Sequence, residues 1–67
     1  MSAVAQQQPQ ANRTADAEAY YNLGVDYYKK GEYDKAIASY KQAIKIDPDY
    51  AEVKEALEVI KQMKARQ

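Results

Sequence analysis

Residues 20–48, YYNLGVDYYKKGEYDKAIASYKQAIKIDP, decide how this chain folds. Two segments with helical apolar spacing flank Lys30-Gly31, and small residues stand where two helices must touch. The first segment starts near Thr14 to Asp16, where either end residue suits a helix cap, and runs to about Lys30. Lys29 and Lys30 oppose the negative end of its dipole, and Gly31 supplies the left-handed stop. The second segment begins near Asp34, read as its cap, and runs to about Ile46. Asp47-Pro48 ends it, because the residue before a proline is pushed out of helical geometry.

Downstream, Asp49 is read as the cap of a third helix, about residues 50–66, with Glu52 three residues on completing a box-like pair. Glu52, Glu55 and Glu58 come early in it and Lys61, Lys64 and Arg66 late, as its dipole favours. Glu58 stands at helix-neighbour spacing from Lys61 and Gln62. Upstream, residues 1–13, MSAVAQQQPQANR, show no helical period. Such a polar, proline-interrupted stretch buries too little to offset its ordering entropy, so it reads as a disordered tail or linker. The expected fold is all-α: a helix-turn-helix hairpin, a third capping helix, and a disordered N-terminal tail. Residues 14–67 form its one domain.

The apolar residues fall into unequal patterns on the three helices. The second carries Tyr33, Ala36, Ile37, Tyr40, Ala43 and Ile44 in one arc of roughly 120°. The third carries Val53, Ala56, Leu57, Ile60 and Met63 in one narrow stripe. The first carries two stripes, Tyr20, Leu23, Gly24 and Tyr27 beside Tyr21, Val25 and Tyr28, together covering roughly 200°. It therefore sits between two neighbours or presents an apolar face outward. Tyr20, Tyr27, Tyr33 and Tyr40 read as core. Tyr21 and Tyr28 divide between a contact surface and packing against the third helix. Gly24 in mid-helix costs about 1 kcal/mol relative to alanine; close approach to a flat surface of Ala36 and Ala43 is the expected reason.

Composition excludes most chemistry. The 67 residues contain no cysteine and no histidine. Disulfides, thiolate or imidazole metal sites and Ser-His or Cys-His nucleophile pairs are therefore out of reach. No calcium-loop spacing is present, so no metal and no cofactor is expected. Asp47 and Asp49 are explained by capping, and Glu55 and Glu58 share a wet face, so no acid–base pair and no enzyme is expected. Ten basic and ten acidic residues balance, which points to neither nucleic acid nor an anionic membrane as partner. The apolar runs are too short to span a bilayer. A basic start with an apolar centre is absent and a cytoplasmic reading is favoured, while Ala3-Val4-Ala5 before Gln6 has the small-x-small form of an export cleavage site.

Tyr20-x2-Leu23-Gly24-x2-Tyr27, Ala36-x3-Tyr40, Ala43 and Pro48 resemble a tetratricopeptide repeat over residues 17–50. That pattern asks for Trp-x2-Leu-Gly-x2-Tyr, Ala-x3-Phe, Ala and Pro. Tyr20 and Tyr40 replace its Trp and Phe and keep a ring. Overlaid on a next repeat, the third helix keeps Leu57 but has Lys54, Glu58 and Lys61 at the aromatic, glycine and tyrosine positions. It thus resembles a terminal solvating helix.

The resemblance implies a scaffold that binds a peptide or partner protein along the first helix. The groove positions it implies are Glu18, Tyr21, Asn22, Val25, Tyr28 and Lys29. Asn22 stands where chaperone-binding members hold a terminal carboxylate. The cations of that clamp are missing, with Tyr21, Val25, Glu52 and Ala56 at the remaining positions, so chaperone-tail binding is not expected. An alternative is self-association, a homodimer covering the same first-helix face, since single repeats usually need neighbours. Another is a piece excised or engineered from a longer array.

Overall fold

A computed structural model describes residues 14–67, which form three helices. Helix α1 spans Ala15–Lys29, α2 Tyr33–Ile46 and α3 Ala51–Ala65. Helix α1 packs on α2, and α2 packs on α3. The expected all-α hairpin with a third helix is the observed architecture. The expected tail, 1–13, and Ala3-Val4-Ala5 lie outside the described residues.

Each boundary has a local cause. Thr14 is the N-cap of α1, and its hydroxyl accepts the Ala17 N–H at 3.1 Å. This satisfies one of the donors that a helix start leaves unpaired. At the other end Gly31 has φ of 80°. Its N–H donates to the Tyr28 carbonyl at 3.0 Å, and that of Glu32 to the Tyr27 carbonyl at 2.9 Å. These paired bonds close α1 as a Schellman motif and turn the chain straight into α2.

Two expected caps are corrected. Glu32, not Asp34, is the N-cap of α2, without a side-chain cap bond. Asp34 lies in the first turn and reaches across to α3, where its carboxylate meets Lys64 Nζ at 2.8 Å. Tyr50, not Asp49, is the N-cap of α3. The Asp47 carboxylate accepts the Asp49 N–H at 3.2 Å, and the Asp47 carbonyl accepts the Tyr50 N–H at 3.1 Å. Asp47 therefore holds the turn through Pro48, and the entry to α3 begins one residue later than expected. Ion pairs form between Glu32 and Lys35 and between Asp34 and Lys64, whereas Glu58 and Lys61 are not paired with each other.

The core is built of small residues and rings. Ala17, Ala36, Ala43, Tyr40, Tyr50, Val53 and Ile60 are buried, with Tyr33, Ile37, Ile44, Ala56 and Leu57 packed against them. The expected arcs of α2 and α3 are thus the buried ones. Tyr50 joins them unexpectedly, as do the buried polar residues Ser39 and Asp47. Gly24 is buried as well, and what lies nearest to it is the Tyr40 ring. A Cβ built there would lie 2.5 Å from Tyr40 Cδ1 and 3.1 Å from Tyr40 Cζ. The missing side chain leaves room for an aromatic ring.

Candidate functional site

Helix α1 turns its two apolar stripes to different surroundings. Tyr20, expected in the core, is 38% exposed, its stripe neighbour Leu23 is 41% exposed, and Ile46 of α2 is 38% exposed. Gly24 and Ala17 set the face of α1 that meets α2. On the helix wheel Tyr20 and Leu23 fall on one flank of that face, and Tyr21 and Val25 on the other. The second flank is where α3 lies. Tyr21, Val25 and Tyr28 are half-buried and pack against the core.

Aromatic contacts tie that second flank down. The Tyr21 ring stands 5.9 Å from Tyr40 and 5.4 Å from Tyr50, centroid to centroid. Tyr28 stands 5.8 Å from Tyr33, and its hydroxyl donates to Met63 Sδ at 3.4 Å. Tilted pairs at these separations are favourable ring geometries. The packing reading of Tyr21 and Tyr28 is met, and each of them also lines an opening.

That opening is a cleft of about 320 Å³ between α1 and α3, open to solvent. Tyr21 and Tyr28 form one wall, Glu52, Glu55, Ala56 and Val59 the other, and the buried Tyr40 joins them. Burial, and then the neighbouring Tyr21 and Tyr28 hydroxyls, push the Tyr40 phenol above its usual range. Val59, at 52% exposure, is an apolar rim residue.

Of the residues expected to bind a partner, the structure brings Tyr21 and Tyr28 into the cleft. Val25 is half-buried against the core and does not line it, and Glu18, Asn22 and Lys29 are exposed on α1 and do not line it either. The α3 wall was absent from the expected set. Its signal was legible in part: Glu52, Ala56 and Val59 share one side of a helical wheel, but only packing shows that this side faces α1.

Among the described residues no group of three or more acidic side chains is placed to hold a metal ion, and no helix is long and apolar enough to cross a membrane. Neither the curated proteins nor the solved structures compared with the chain give a significant match. The Tetratricopeptide repeat family does match, over residues 17–50. Those residues cover the hairpin from the second residue after the start of α1 to the N-cap of α3, and this chain belongs to the tetratricopeptide repeat family.

Proposed function

We propose that the chain is a non-enzymatic interaction module that takes a segment of a partner protein along the inner flank of α1. Repeats of this family generally mediate protein–protein interaction, which supports the general role. The observation that carries the specific reading is the open cleft between α1 and α3, walled by Tyr21 and Tyr28. Tyrosines present broad contact area at low entropic cost, and a pocket already formed needs little reorganisation on binding. Glu18, Asn22, Val25 and Lys29 extend the same flank and form the border of the proposed site.

Peptides selected from a random library on the immobilised chain test this reading. Enriched peptides are expected to shift the amide resonances of Tyr21, Val25, Tyr28 and Val59, and to lose binding to Val59→Glu. Val59 suits the substitution because it is half-exposed, so a charge there blocks the cleft without opening the core. Shifts confined to Tyr20, Leu23 and Ile46 overturn it.

A second reading rests on that opposite flank. Tyr20, Leu23 and Ile46 are each exposed apolar side chains, and a second copy of the chain covering them makes the protein a self-associating unit. Sedimentation equilibrium at tens of micromolar separates the two: a dimer dispersed by Leu23→Lys favours self-association, and a monomer favours the cleft.

A further inference from the structure

We propose that the cleft between α1 and α3 selects a basic partner segment by seating a cationic side chain, arginine in preference to lysine, between its tyrosine rings and its carboxylates. This rests on the cleft being the binding surface. Three of the cleft's lining residues are tyrosines, Tyr21, Tyr28 and Tyr40, and two are glutamates, Glu52 and Glu55; none is lysine or arginine. The chain as a whole is neutral, so the cleft departs in sign from the protein around it.

The two kinds of group act on the same ligand in complementary ways. A ring face attracts a cation within ~6 Å of its centroid, and more strongly where water is partly excluded. Tyr21 and Tyr40 both line the cleft, with ring centroids 5.9 Å apart and planes inclined by 33°. Opposite them, Ala56 offers an apolar bed for an aliphatic stem. The Glu55 carboxylate then neutralises the charged head. Guanidinium is favoured over ammonium because it is planar, stacks on rings and presents paired donors to a carboxylate. An acidic or phosphate-bearing segment meets repulsion at the same place.

The probes are acetyl-Ala-Ala-Arg-Ala-Ala-amide, the same peptide with citrulline, which keeps the shape and removes the charge, and one with leucine. Amide and tyrosine ring resonances of the intact chain report where each binds and how tightly. Arginine is expected to bind roughly fivefold to tenfold tighter than citrulline at low salt, as one cation–π contact plus one partly exposed ion pair allows. Added salt is expected to shrink that ratio. Glu52 is already engaged within the chain, so Glu55 is the carboxylate to change. Glu55→Gln is expected to weaken the arginine peptide alone, and Glu55→Lys to weaken it further, with helicity unchanged by circular dichroism. Equal binding of arginine and citrulline in the cleft overturns the charge selection and leaves the cleft reading standing. Binding of the leucine peptide in the cleft without the arginine peptide does the same. If no peptide perturbs Tyr21 or Val59, this inference fails, while the library selection decides the cleft reading separately.

Discussion

The ring of Tyr40, on α2, occupies the space that a side chain on residue 24 of α1 would need. A Cβ on Gly24 would sit 2.5 Å from Tyr40 Cδ1, well inside van der Waals contact. Tyr40 is buried and its ring packs on that of Tyr21, so it does not yield without disturbing its neighbours. One missing methyl thus sets both the hairpin crossing and the position of the cleft's buried tyrosine.

Gly24→Ala is therefore expected to destabilise the fold, although alanine is the better helix former by about 1 kcal/mol. Overpacking of ~1–3 kcal/mol outweighs that gain. Urea unfolding of Gly24→Ala, Tyr40→Leu and the double variant checks it. A leucine in place of the ring is smaller and relieves the clash, so the pair is expected to show a favourable coupling of about 1 kcal/mol or more. Additive effects would show that the ring is not what excludes a side chain.

Tyr40 also predicts a pH dependence. Its folded pKa is raised above 10.0, by burial first and then by Tyr21 and Tyr28. The neutral phenol is thus preferred more in the folded chain than in the unfolded one. Its contribution to stability is fully present below about pH 10 and is lost as pH rises through the folded value. Ring-carbon resonances should show Tyr40 ionising above a free tyrosine. Tyr40→Phe should flatten the alkaline fall in stability; an unchanged alkaline limb would sink this assignment.

Gly31 is held by conformation and not by space. Its φ is 80°, and nothing lies within 4 Å of a Cβ built there. Gly31→Ala should cost about 1–2 kcal/mol from left-handed strain alone. Gly31→Asn should cost less, since asparagine tolerates that region. Thermal melts of the two variants in that order confirm the turn; equal melts would contradict it.

Asp34 and Lys64 join the start of α2 to the end of α3 at 2.8 Å, with side chains 80% and 47% exposed. Water and salt screen such a pair, so Asp34→Asn should cost no more than ~0.5 kcal/mol. Its effect should instead be local: faster amide exchange in the last turn of α3. Global destabilisation beyond about 1 kcal/mol would show that the pair does more than pin that end.

Much of the fold was legible because its determinants are local. Gly31, Pro48 and the spacing of Ala36, Tyr40 and Ala43 mark ends and faces through backbone geometry and helical period alone. The misplaced caps have a shared cause. Asp34 and Asp49 are sound caps by residue type, but Asp34 reaches Lys64 in a different helix, and Asp47 takes the turn through Pro48. Wheel position also could not rank the two stripes of α1. Tyr20 and Tyr21 are the same residue type one step apart, and which is exposed depends on where α3 lies.

By itself the sequence determined three helices, their turns, the repeat they belong to and the absence of thiol and imidazole chemistry. Those follow from intrinsic conformational preference and residue type, which act over a few neighbouring positions. Tertiary structure decided that Gly24 makes room for Tyr40, that Tyr20 and Leu23 are left in solvent, and that Glu52 and Glu55 come to face Tyr21 and Tyr28 across a cleft. Those depend on how whole helices pack, and packing is chosen by the summed fit of distant surfaces.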